Sequence, residues 1–559
     1  MRTDVLQGTR YSLAVHSRTY DCIAAALLAI VVLGMYVMLP RQGDIWFSDA
    51  SRHAMNGAFI LDFLRAMPIH HPMEFALDYY RQWPALTIGL YPPLLYAEVA
   101  ASYAVFGVSE AAALIPVMAS LFLVGWGAYR LSQNWLDNTS ALAVALLAIA
   151  TPGIGFWGGQ IVLDVSMYAW LVWAAIFHLR YLKDGPPRNL YLAVVCVVGS
   201  MYTKYNAAFF IGVMFLSILY TKGWRSAFHR TTLSAVALGL VLLLPLLLFF
   251  FKFGTFNLMQ AGMSSYATVP QWSFAGLTYY MRFMPNVLSW PIVVLAIAFC
   301  ISCLVPRRLM VGDATKTDVA FLLIWLTFGY VFSTVMAMKD QRYTLPFTYP
   351  IILASVLFLD RIASRTSLRG VLALAVASVV SIVSLVASPP PYVTGMRQAA
   401  QDIAKVAPQE TNVAYWGEYD GTFVYGMRAY SGRPDLGVIR LNKVLINYSV
   451  LMEWGFTQKN WSSEQIIDQL RRLHVQYVVI EESYGDQIDV IKNLHAALGS
   501  DRFREVGRLK MTSNYPIGPL PTGPVLIGLT ELVIYRAVDD VPRGLIPPAM
   551  ELNVIGQGI

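Results

Sequence analysis

Residues 232–251 read TLSAVALGLVLLLPLLLFFF, twenty consecutive residues without a charged side chain. An apolar run of about 20 residues crosses the hydrocarbon core of a bilayer as one α-helix. Similar runs recur from residue 21 to residue 388. The whole 559-residue chain is 57% hydrophobic and 13% charged, whereas a soluble domain carries about 25% charged residues. The sequence therefore predicts a polytopic α-helical membrane protein.

Eleven of these runs are predicted to span the membrane. A twelfth apolar stretch, 92–106, is ambiguous because it is short and follows Pro92 and Pro93. Residues 1–20 are polar, and no small-residue cleavage signal follows the first run, so we expect a cytoplasmic N-terminal segment and an uncleaved first helix. The predicted spans are residues 21–40, 111–130, 140–156, 165–182, 189–203, 206–221, 232–251, 288–305, 319–337, 345–359 and 371–387.

Basic residues in the short loops predict the orientation, because such loops face the cytoplasm. If 92–106 lies in the outer interface, all of these basic loops face the cytoplasm. If 92–106 spans the membrane, every later basic loop faces outward instead. The first arrangement is favoured, which leaves 388–559 outside a cytoplasmic (inner) membrane. The net charge of +7 then reflects topology and indicates no nucleic-acid partner. The basic loop residues are Arg130, Lys183, Arg188, Lys222, Arg225, Arg230, Arg307, Arg308, Lys316, Arg361, Arg365 and Arg369.

The composition divides the chain into a cytoplasmic segment 1–20, a transmembrane domain 21–388 with a large first outer loop 41–110, and a soluble domain 389–559. In the last part, alternating patterns predict a small α/β domain. Its expected elements are a helix at 396–406, a strand at 412–416, a helix at 463–473, a strand at 476–481 and a strand near 531–535. The four cysteines lie in apolar segments and form neither a disulfide framework nor a zinc pattern.

The first outer loop contains WFSDASRHAMNG at 46–57. If a helix starts here, Asp49, His53 and Asn56 share one face, at positions i, i+4 and i+7. The alternative is that Asp49 only caps this helix and that the polar face is merely solvated. Spacing alone leaves both interpretations open.

Two further polar groups are predicted at the outer ends of spans. Asp164 stands at the mouth of one helix, where a carboxylate costs about 2.5–3.5 kcal/mol at membrane depth; helix capping is the alternative. Lys339, Arg342 and Tyr343 form a cluster that could hold a phosphate, or could only anchor the interface. Lys204, in a very tight predicted turn, is another outward cation.

Taken in order, these motifs resemble the GT-C class of membrane glycosyltransferases over about residues 20–360. The closest branches are the protein O-mannosyltransferase and lipid A aminoarabinose transferase families. Two features depart from relatives: Ala50 follows Asp49 where a second acid is common, and Leu90-Tyr91 stand where the aminoarabinose branch has Glu-Lys. The motifs are FSD at 47–49, YPPLLY at 91–96, FGVSE at 106–110, Asp164, and KDQRYTLP at 339–346.

The resemblance implies an inverting glycosyltransferase that transfers a hexose or a pentose from a polyprenyl-phosphate-sugar donor. Its acceptor would be an extracytoplasmic lipid, polysaccharide or protein. Asp49 would be the general base and Asp164 would orient a substrate. No cofactor is predicted; a divalent metal is possible, but too few close carboxylates support it. The substrate-binding residues implied are His53, Tyr91, Lys204, Lys339, Arg342 and Tyr343.

Two other functions remain open. A transporter or flippase of lipid-linked sugars would carry charges in mid-span and two similar halves, and neither is evident. A polysaccharide polymerase or ligase would concentrate its motifs in one large late outer loop and would usually lack a soluble C-terminal domain.

The predicted orientation can be tested with a reporter that is active only outside the cytoplasm. We expect activity when it is fused after residue 75 or after Ile559, and no activity when it is fused after Arg188 or Arg308. The basic loops are the physical reason, because they resist translocation. Reporter activity at Arg308 would contradict both the orientation and the outward placement of Asp49 and Asp164.

Overall fold

The computed structural model describes residues 2–39, 43–254, 269–304, 315–363, 366, 368, 370–447, 456–515, 529–545, 551–552 and 557–558. Part of the predicted outer loop at 252–287 lies outside these residues, as do four of the basic residues used for orientation: Arg307, Arg308, Arg365 and Arg369.

Helices dominate the described chain. The first eleven are α1 Arg2–Met38, α2 Ser48–Ala66, α3 Pro72–Gln82, α4 Leu94–Phe106, α5 Glu110–Ser132, α6 Asn138–Ala150, α7 Pro152–Gly158, α8 Leu163–Leu182, α9 Arg188–Thr203, α10 Phe209–Lys222 and α11 Arg230–Phe249. The next eleven are α12 Phe274–Leu277, α13 Tyr279–Leu288, α14 Trp290–Leu304, α15 Lys316–Val335, α16 Tyr349–Ile362, α17 Val371–Ala387, α18 Met396–Val406, α19 Asp420–Tyr430, α20 Leu441–Val444, α21 Ser463–Arg472 and α22 Asp489–Leu498. Short 3₁₀ segments lie at Tyr205–Ala208, Trp224–Phe228 and Gln341–Phe347, and a π-helical turn at Phe250–Gly254.

Each of the eleven predicted spans coincides with a helix. Within the described ranges, five helices are long and apolar enough to cross a membrane, or eight if each of three bent pairs is one span. The bends are 58° between α6 and α7, 119° before α14, and 61° before α16. Helix α17 is apolar but shorter, and α8 and α9 do not meet the same length and hydropathy test. The multi-pass architecture is thus confirmed, and the count of eleven stays a prediction.

The chain separates into two compact units. The first unit comprises Met1–Leu39, Tyr91–Leu95 and Pro116–Pro389, and the second comprises Pro40–Leu90, Tyr96–Ile115 and Pro390–Ile559. Most of the predicted first outer loop therefore lies in the same compact unit as the C-terminal residues.

The first unit is a helical bundle with an apolar outer surface. Helix α8 packs against α9, α14 against α16, and α6 against α17. Helix α11 exposes large apolar side chains along one side, among them Leu240, Val241, Leu244 and Leu248, each more than half exposed. In water such a stripe would be unfavourable, whereas lipid tails solvate it. The surface therefore fits a bilayer.

The second unit contains a mixed five-stranded sheet in the order β4-β3-β7-β9-β8. Strands β3, β4 and β7 are parallel, and β9 pairs antiparallel with β7 and β8. The strands are β1 Asp44–Ile45, β2 Tyr392–Val393, β3 Asn412–Trp416, β4 Gly437–Arg440, β5 Ile446–Asn447, β6 Thr457–Gln458, β7 Val475–Glu481, β8 Phe503–Thr512, β9 Leu529–Ala537, β10 Glu551–Leu552 and β11 Gln557–Gly558.

The predicted α/β character of the C-terminal region is confirmed. The predicted helices at 396–406 and 463–473 are α18 and α21, and the predicted strands are β3, β7 and β9. Sequence patterns missed β4, β8, α19 and α22. Of these, β8 exposes or half-exposes most of its residues, which blurs the apolar alternation on which a strand prediction depends.

Helix α2 is packed closely between two other helices of the second unit. At Gly57 an added methyl group would lie 2.9 Å from the Cβ of Val99 on α4, and closer still to its Cγ1. At Gly421 on α19 it would collide with the Ser51 hydroxyl. The close packing of helix α2 against its two neighbours therefore depends on glycine at positions 57 and 421.

The buried carboxyl group of Glu481 lies at the end of β7. It accepts hydrogen bonds from the Tyr415 hydroxyl and, at 3.0 Å, from the Tyr419 amide. Burial raises the pKa of Glu481 from 4.5 to about 7. The folded protein thus holds this proton more tightly than the unfolded chain does, so the stabilising contribution of Glu481 is present at low pH and declines as the pH rises from about 4.5 to about 7.

The variant Glu481→Gln keeps the hydrogen-bond acceptor but cannot titrate. Between pH 5 and pH 8 we expect the wild type to lose more stability than the variant does, by an amount on the order of 1–3 kcal/mol. Thermal unfolding of the purified protein at both pH values measures this difference. An identical pH dependence in the two proteins would mean that Glu481 does not titrate in this window.

Candidate active site

Asp164 and Lys204 form a buried ion pair in the first unit. The Lys204 ammonium lies 2.6 Å from Asp164 Oδ1, and the Asp164 side chain is 1% exposed. Helix α8 begins at Leu163 with Val162 as its N-cap residue, so Asp164 lies in the first turn and does not occupy the N-cap position. Lys204 is an extended residue between α9 and the 3₁₀ segment Tyr205–Ala208. The tight turn predicted around Lys204 is confirmed.

Arg342 and Tyr343 lie in the 3₁₀ segment that precedes α16. Asp340 is the N-cap of this segment: it accepts a hydrogen bond from the Arg342 amide, and its second oxygen lies 2.9 Å from Arg342 Nε. The guanidinium carbon is 5.5 Å from the centre of the Trp157 ring and 5.9 Å from that of Tyr343. The Lys204 ammonium is 4.8 Å from the same Tyr343 ring. The structure thus brings Asp164, Lys204, Arg342 and Tyr343 together in one charged cluster, in which each cation is paired with a carboxylate.

Lys339 has a different environment. Its ammonium donates to the carbonyl oxygens of Thr334 and, at 2.7 Å, Met336, at the end of α15. It also lies 5.7 Å from the centre of the Tyr280 ring. Both carbonyls belong to a helix C-terminus, where a cation is stabilising. The contacts of Lys339 therefore match those of a helix-end anchor.

Several buried polar atoms beside the Asp164–Lys204 pair have no hydrogen-bond partner in the described part of the chain. They are Asp164 Oδ2, Ser166 Oγ, Tyr205 Oη and Asn206 Oδ1. Buried polar groups in folded proteins are nearly always satisfied by protein, water or a ligand. These atoms therefore need polar partners that the described residues do not supply.

In the second unit, α2 carries the other predicted residues. The helix starts at Ser48, and Phe47 occupies the N-cap position without a side-chain hydrogen bond, so Asp49 is in the first turn and is half-buried. His53 is buried; its Nδ1 is 2.9 Å from the Tyr96 hydroxyl, and the two rings stack. Asn56 exchanges two hydrogen bonds with Thr87, both of 2.9 Å. Tyr91 is half-buried in the first unit.

Asp44 is a buried carboxylate that connects distant parts of the sequence. Its Oδ2 accepts hydrogen bonds from the amides of Met396 and Arg397, at 2.9 and 3.2 Å, at the start of α18. Burial raises the pKa of Asp44 to about 6, against the opposing effect of Arg397. Asp44 therefore caps a helix more than 350 positions downstream, which is a structural role.

Sequence analysis missed a second group of charged and polar residues, Arg52, Asp420, Arg440 and Asn442. Asp420 accepts hydrogen bonds from Arg440 and Asn442, and it pairs with Arg52 at 3.5 Å. The available signal was Arg52, three positions after Asp49; the downstream residues belong to no local motif. Across the described ranges, no group of three or more His, Cys, Asp or Glu side chains is arranged to hold a metal ion.

Comparison with known proteins places these residues in a wider context. Residues 91–249 match the family model described as dolichyl-phosphate-mannose-protein mannosyltransferase. This segment includes Tyr91, Asp164 and Lys204. No curated protein sequence matches the chain significantly.

Solved structures share the fold at low sequence identity. ArnT from Cupriavidus metallidurans bound to undecaprenyl phosphate superposes with a TM-score of 0.59 at 13% identity, over 92% of this chain and 98% of that one. The archaeal oligosaccharyltransferase AglB from Archaeoglobus fulgidus, in complex with an inhibitory peptide and a dolichol-phosphate, gives 0.53 at 11% identity, over 83% and 70%. The chain therefore has the GT-C fold of membrane glycosyltransferases that its sequence motifs predict.

Proposed function

We propose that this protein is a glycosyltransferase that moves a sugar from a polyprenyl-phosphate donor to an extracytoplasmic lipid, polysaccharide or protein. The donor class is supported by the family-model match and by the polyprenyl phosphates named for ArnT and AglB. The proposal includes the orientation predicted from the basic loops, with Asp49 and Asp164 on the outer side of the cytoplasmic membrane.

The observation that carries the proposal is the buried Lys204 ammonium. It has three N–H donors, and Asp164 is its hydrogen-bond partner among the described residues. Asp164 accepts one of these N–H groups, and two donors remain for phosphate oxygens. The Arg342 guanidinium lies near the same Tyr343 ring as the Lys204 ammonium and adds a second cation to the cluster. A phosphate needs such charge-assisted hydrogen bonds.

The proposed reaction is a single displacement with inversion at the anomeric carbon. Asp49 accepts the proton from the acceptor hydroxyl as the hydroxyl oxygen bonds to the anomeric carbon. The bond from that carbon to the phosphate oxygen breaks, and its electron pair leaves with the polyprenyl phosphate. Lys204 and Arg342 stabilise the charge on the departing phosphate. No residue has to form a covalent intermediate.

The remaining predicted residues have supporting roles in this proposal. Asp164 positions Lys204 and, through its second carboxylate oxygen, a hydroxyl of the substrate. His53 lies on the same helix as Asp49, and its ring is held in place by the Tyr96 hydroxyl. It therefore contributes to the shape of the acceptor site. Tyr91 and Tyr343 line the donor. Lys339 is the weakest of the three proposed phosphate ligands, because its ammonium already binds two carbonyl oxygens.

The function is tested with purified protein in lipid nanodiscs and a panel of polyprenyl-phosphate-linked hexoses and pentoses. Release of free polyprenyl phosphate that depends on an added acceptor extract supports the proposal. Facilitated movement of the intact donor across a vesicle membrane, without release of the phosphate, would instead indicate a flippase.

The charged cluster around Lys204 and Arg342 can be tested by mutation. We expect Arg342→Ala to weaken binding of undecaprenyl phosphate about ten-fold or more, because charge-assisted hydrogen bonds contribute about 1.5–3 kcal/mol each. Lys204→Ala should have an effect of similar size. The control is Lys222→Ala, which removes an ion pair of 2.7 Å with the exposed Asp184 in the same unit. Unchanged affinity in folded Arg342→Ala protein would leave the cluster as an interfacial anchor.

The role of Asp49 can be tested in the same way. Asn has nearly the shape of Asp and suits a helix start about equally well, but it accepts no proton. We expect Asp49→Asn to lower transfer by roughly 100-fold or more while the melting temperature stays close to that of the wild type. Asp164→Asn should give a milder loss if Asp164 orients a substrate. Full activity in Asp49→Asn would remove this residue from the mechanism.

A further inference from the structure

A group of charged side chains lies at the carboxyl ends of two parallel strands in the second unit. Arg440 is the last residue of β4, and Asp420 opens α19 shortly after β3 ends. Asn442 follows β4 in α20, and Arg52 reaches the group from α2. Open α/β sheets bind their ligands outside the carboxyl ends of the strands. The group therefore occupies the part of the sheet where a ligand is expected.

Asp420 organises this group. Its Oδ2 accepts hydrogen bonds from Arg440 Nε at 2.7 Å and from Asn442 Nδ2 at 2.6 Å. Arg440 also donates through Nη1 to the Pro84 carbonyl, at 3.0 Å. Asp420 and Arg440 are both buried. Their positions are thus fixed before any ligand binds.

Arg52 differs from Arg440 in its bonding. Its Nη2 lies 3.5 Å from Asp420 Oδ1, an ion pair without a direct hydrogen bond. A guanidinium has five N–H donors, and throughout the described part of the chain Arg52 donates none of them to a protein acceptor. Its side chain is 20% exposed. The planar fork of an arginine fits the two oxygens of a carboxylate or phosphate.

Lys443 is a third basic group in the surroundings of Arg52. Lys443, half-buried on α20, lies in the field of both Arg440 and Arg52. Burial and these two guanidinium groups lower the pKa of Lys443 to about 7, although Asp420 acts in the opposite direction. An additional anion at this place would offset the repulsion among the three basic groups.

We propose that Arg52, supported by Arg440 and Lys443, binds an oxyanion on the acceptor, a carboxylate or a phosphate. This inference rests on the proposed transferase function and specifies its acceptor as anionic. Arg52 follows Asp49 by three positions on α2, and residues at i and i+3 of a helix have side chains about 5–6 Å apart at Cβ. An acceptor held by its anionic group at Arg52 therefore presents a neighbouring hydroxyl to Asp49.

The test measures anion binding and donor binding separately in full-length protein in nanodiscs. Inorganic phosphate and glucuronate are titrated in separate series while the melting temperature is followed. We expect a saturable stabilisation of the wild type by at least one of them, and the series that responds tells phosphate from carboxylate. Arg52→Ala should raise the apparent Kd at least ten-fold, and Arg52→Lys, which keeps the charge without the fork, should raise it less.

Two control variants separate binding from structure. Arg428→Ala removes the ion pair with Asp62, which joins the same two helices, α2 and α19. It should lower stability but keep the response to the anion. Lys204→Ala removes the proposed donor-phosphate site, and it should also keep this response. Arg52→Ala should in turn keep its affinity for undecaprenyl phosphate.

The proposal is overturned if wild type and Arg52→Ala respond equally, if Arg428→Ala loses the response as fully as Arg52→Ala does, or if neither anion stabilises the wild type. Loss of the response in Lys204→Ala alone also overturns it, since the anion would then bind at the donor cluster. Failure of the wild type to bind undecaprenyl phosphate contradicts the transferase function, and the anion titration still reports on Arg52 independently.

Discussion

The position of helix α2 depends on two points at which no side chain fits between it and its neighbours. At Gly57 the helix meets α4, and at Gly421 of α19 the partner backbone comes up to Ser51. Packing of this kind leaves the helix little room to shift, because protein interiors are as dense as organic crystals. Asp49 and Arg52 lie on this helix, so the two close contacts at Gly57 and Gly421 help to place them. Preorganisation of this sort is what charge stabilisation in a reaction requires.

Two ion pairs among the described residues are buried on both sides. Asp164 with Lys204 in the first unit, and Asp420 with Arg440 in the second, each bury both partners. Such pairs contribute little to stability compared with apolar residues of the same volume, because desolvation offsets the attraction between the charges. Their value lies in holding a cation or a carboxylate in a fixed place. Both pairs stand in the segments to which substrate binding is proposed.

The membrane architecture could be predicted from the sequence because apolar runs are local. The Asp164–Lys204 contact was also within reach: α8 and α9 are joined by five residues, 183–187, so the start of one helix must lie near the end of the other. The contacts of Lys339 could not be predicted, because the sequence around a lysine near a helix end is the same whether that lysine binds carbonyl oxygens or a ligand. The role of Asp44 depends on residues more than 350 positions away. The grouping of residues 40–90 with 390–559 depends on long-range contacts of the same kind, which no local pattern encodes.

The composition of the second unit has a consequence for biogenesis. Its early part ends at Ile115 and its last part starts at Pro390, so residues 116–389, 274 in number, are synthesised between them. At about 5–20 residues per second, this interval lasts roughly 15–60 seconds. Throughout that time α2 lacks α19, and Asp44 lacks the helix that it caps. The unit is completed only after the hydrophobic segments of the bundle have left the ribosome, and its high contact order makes this closing step slow. Until the C-terminal residues arrive, the nascent first loop cannot bury the surfaces that it covers in the completed unit.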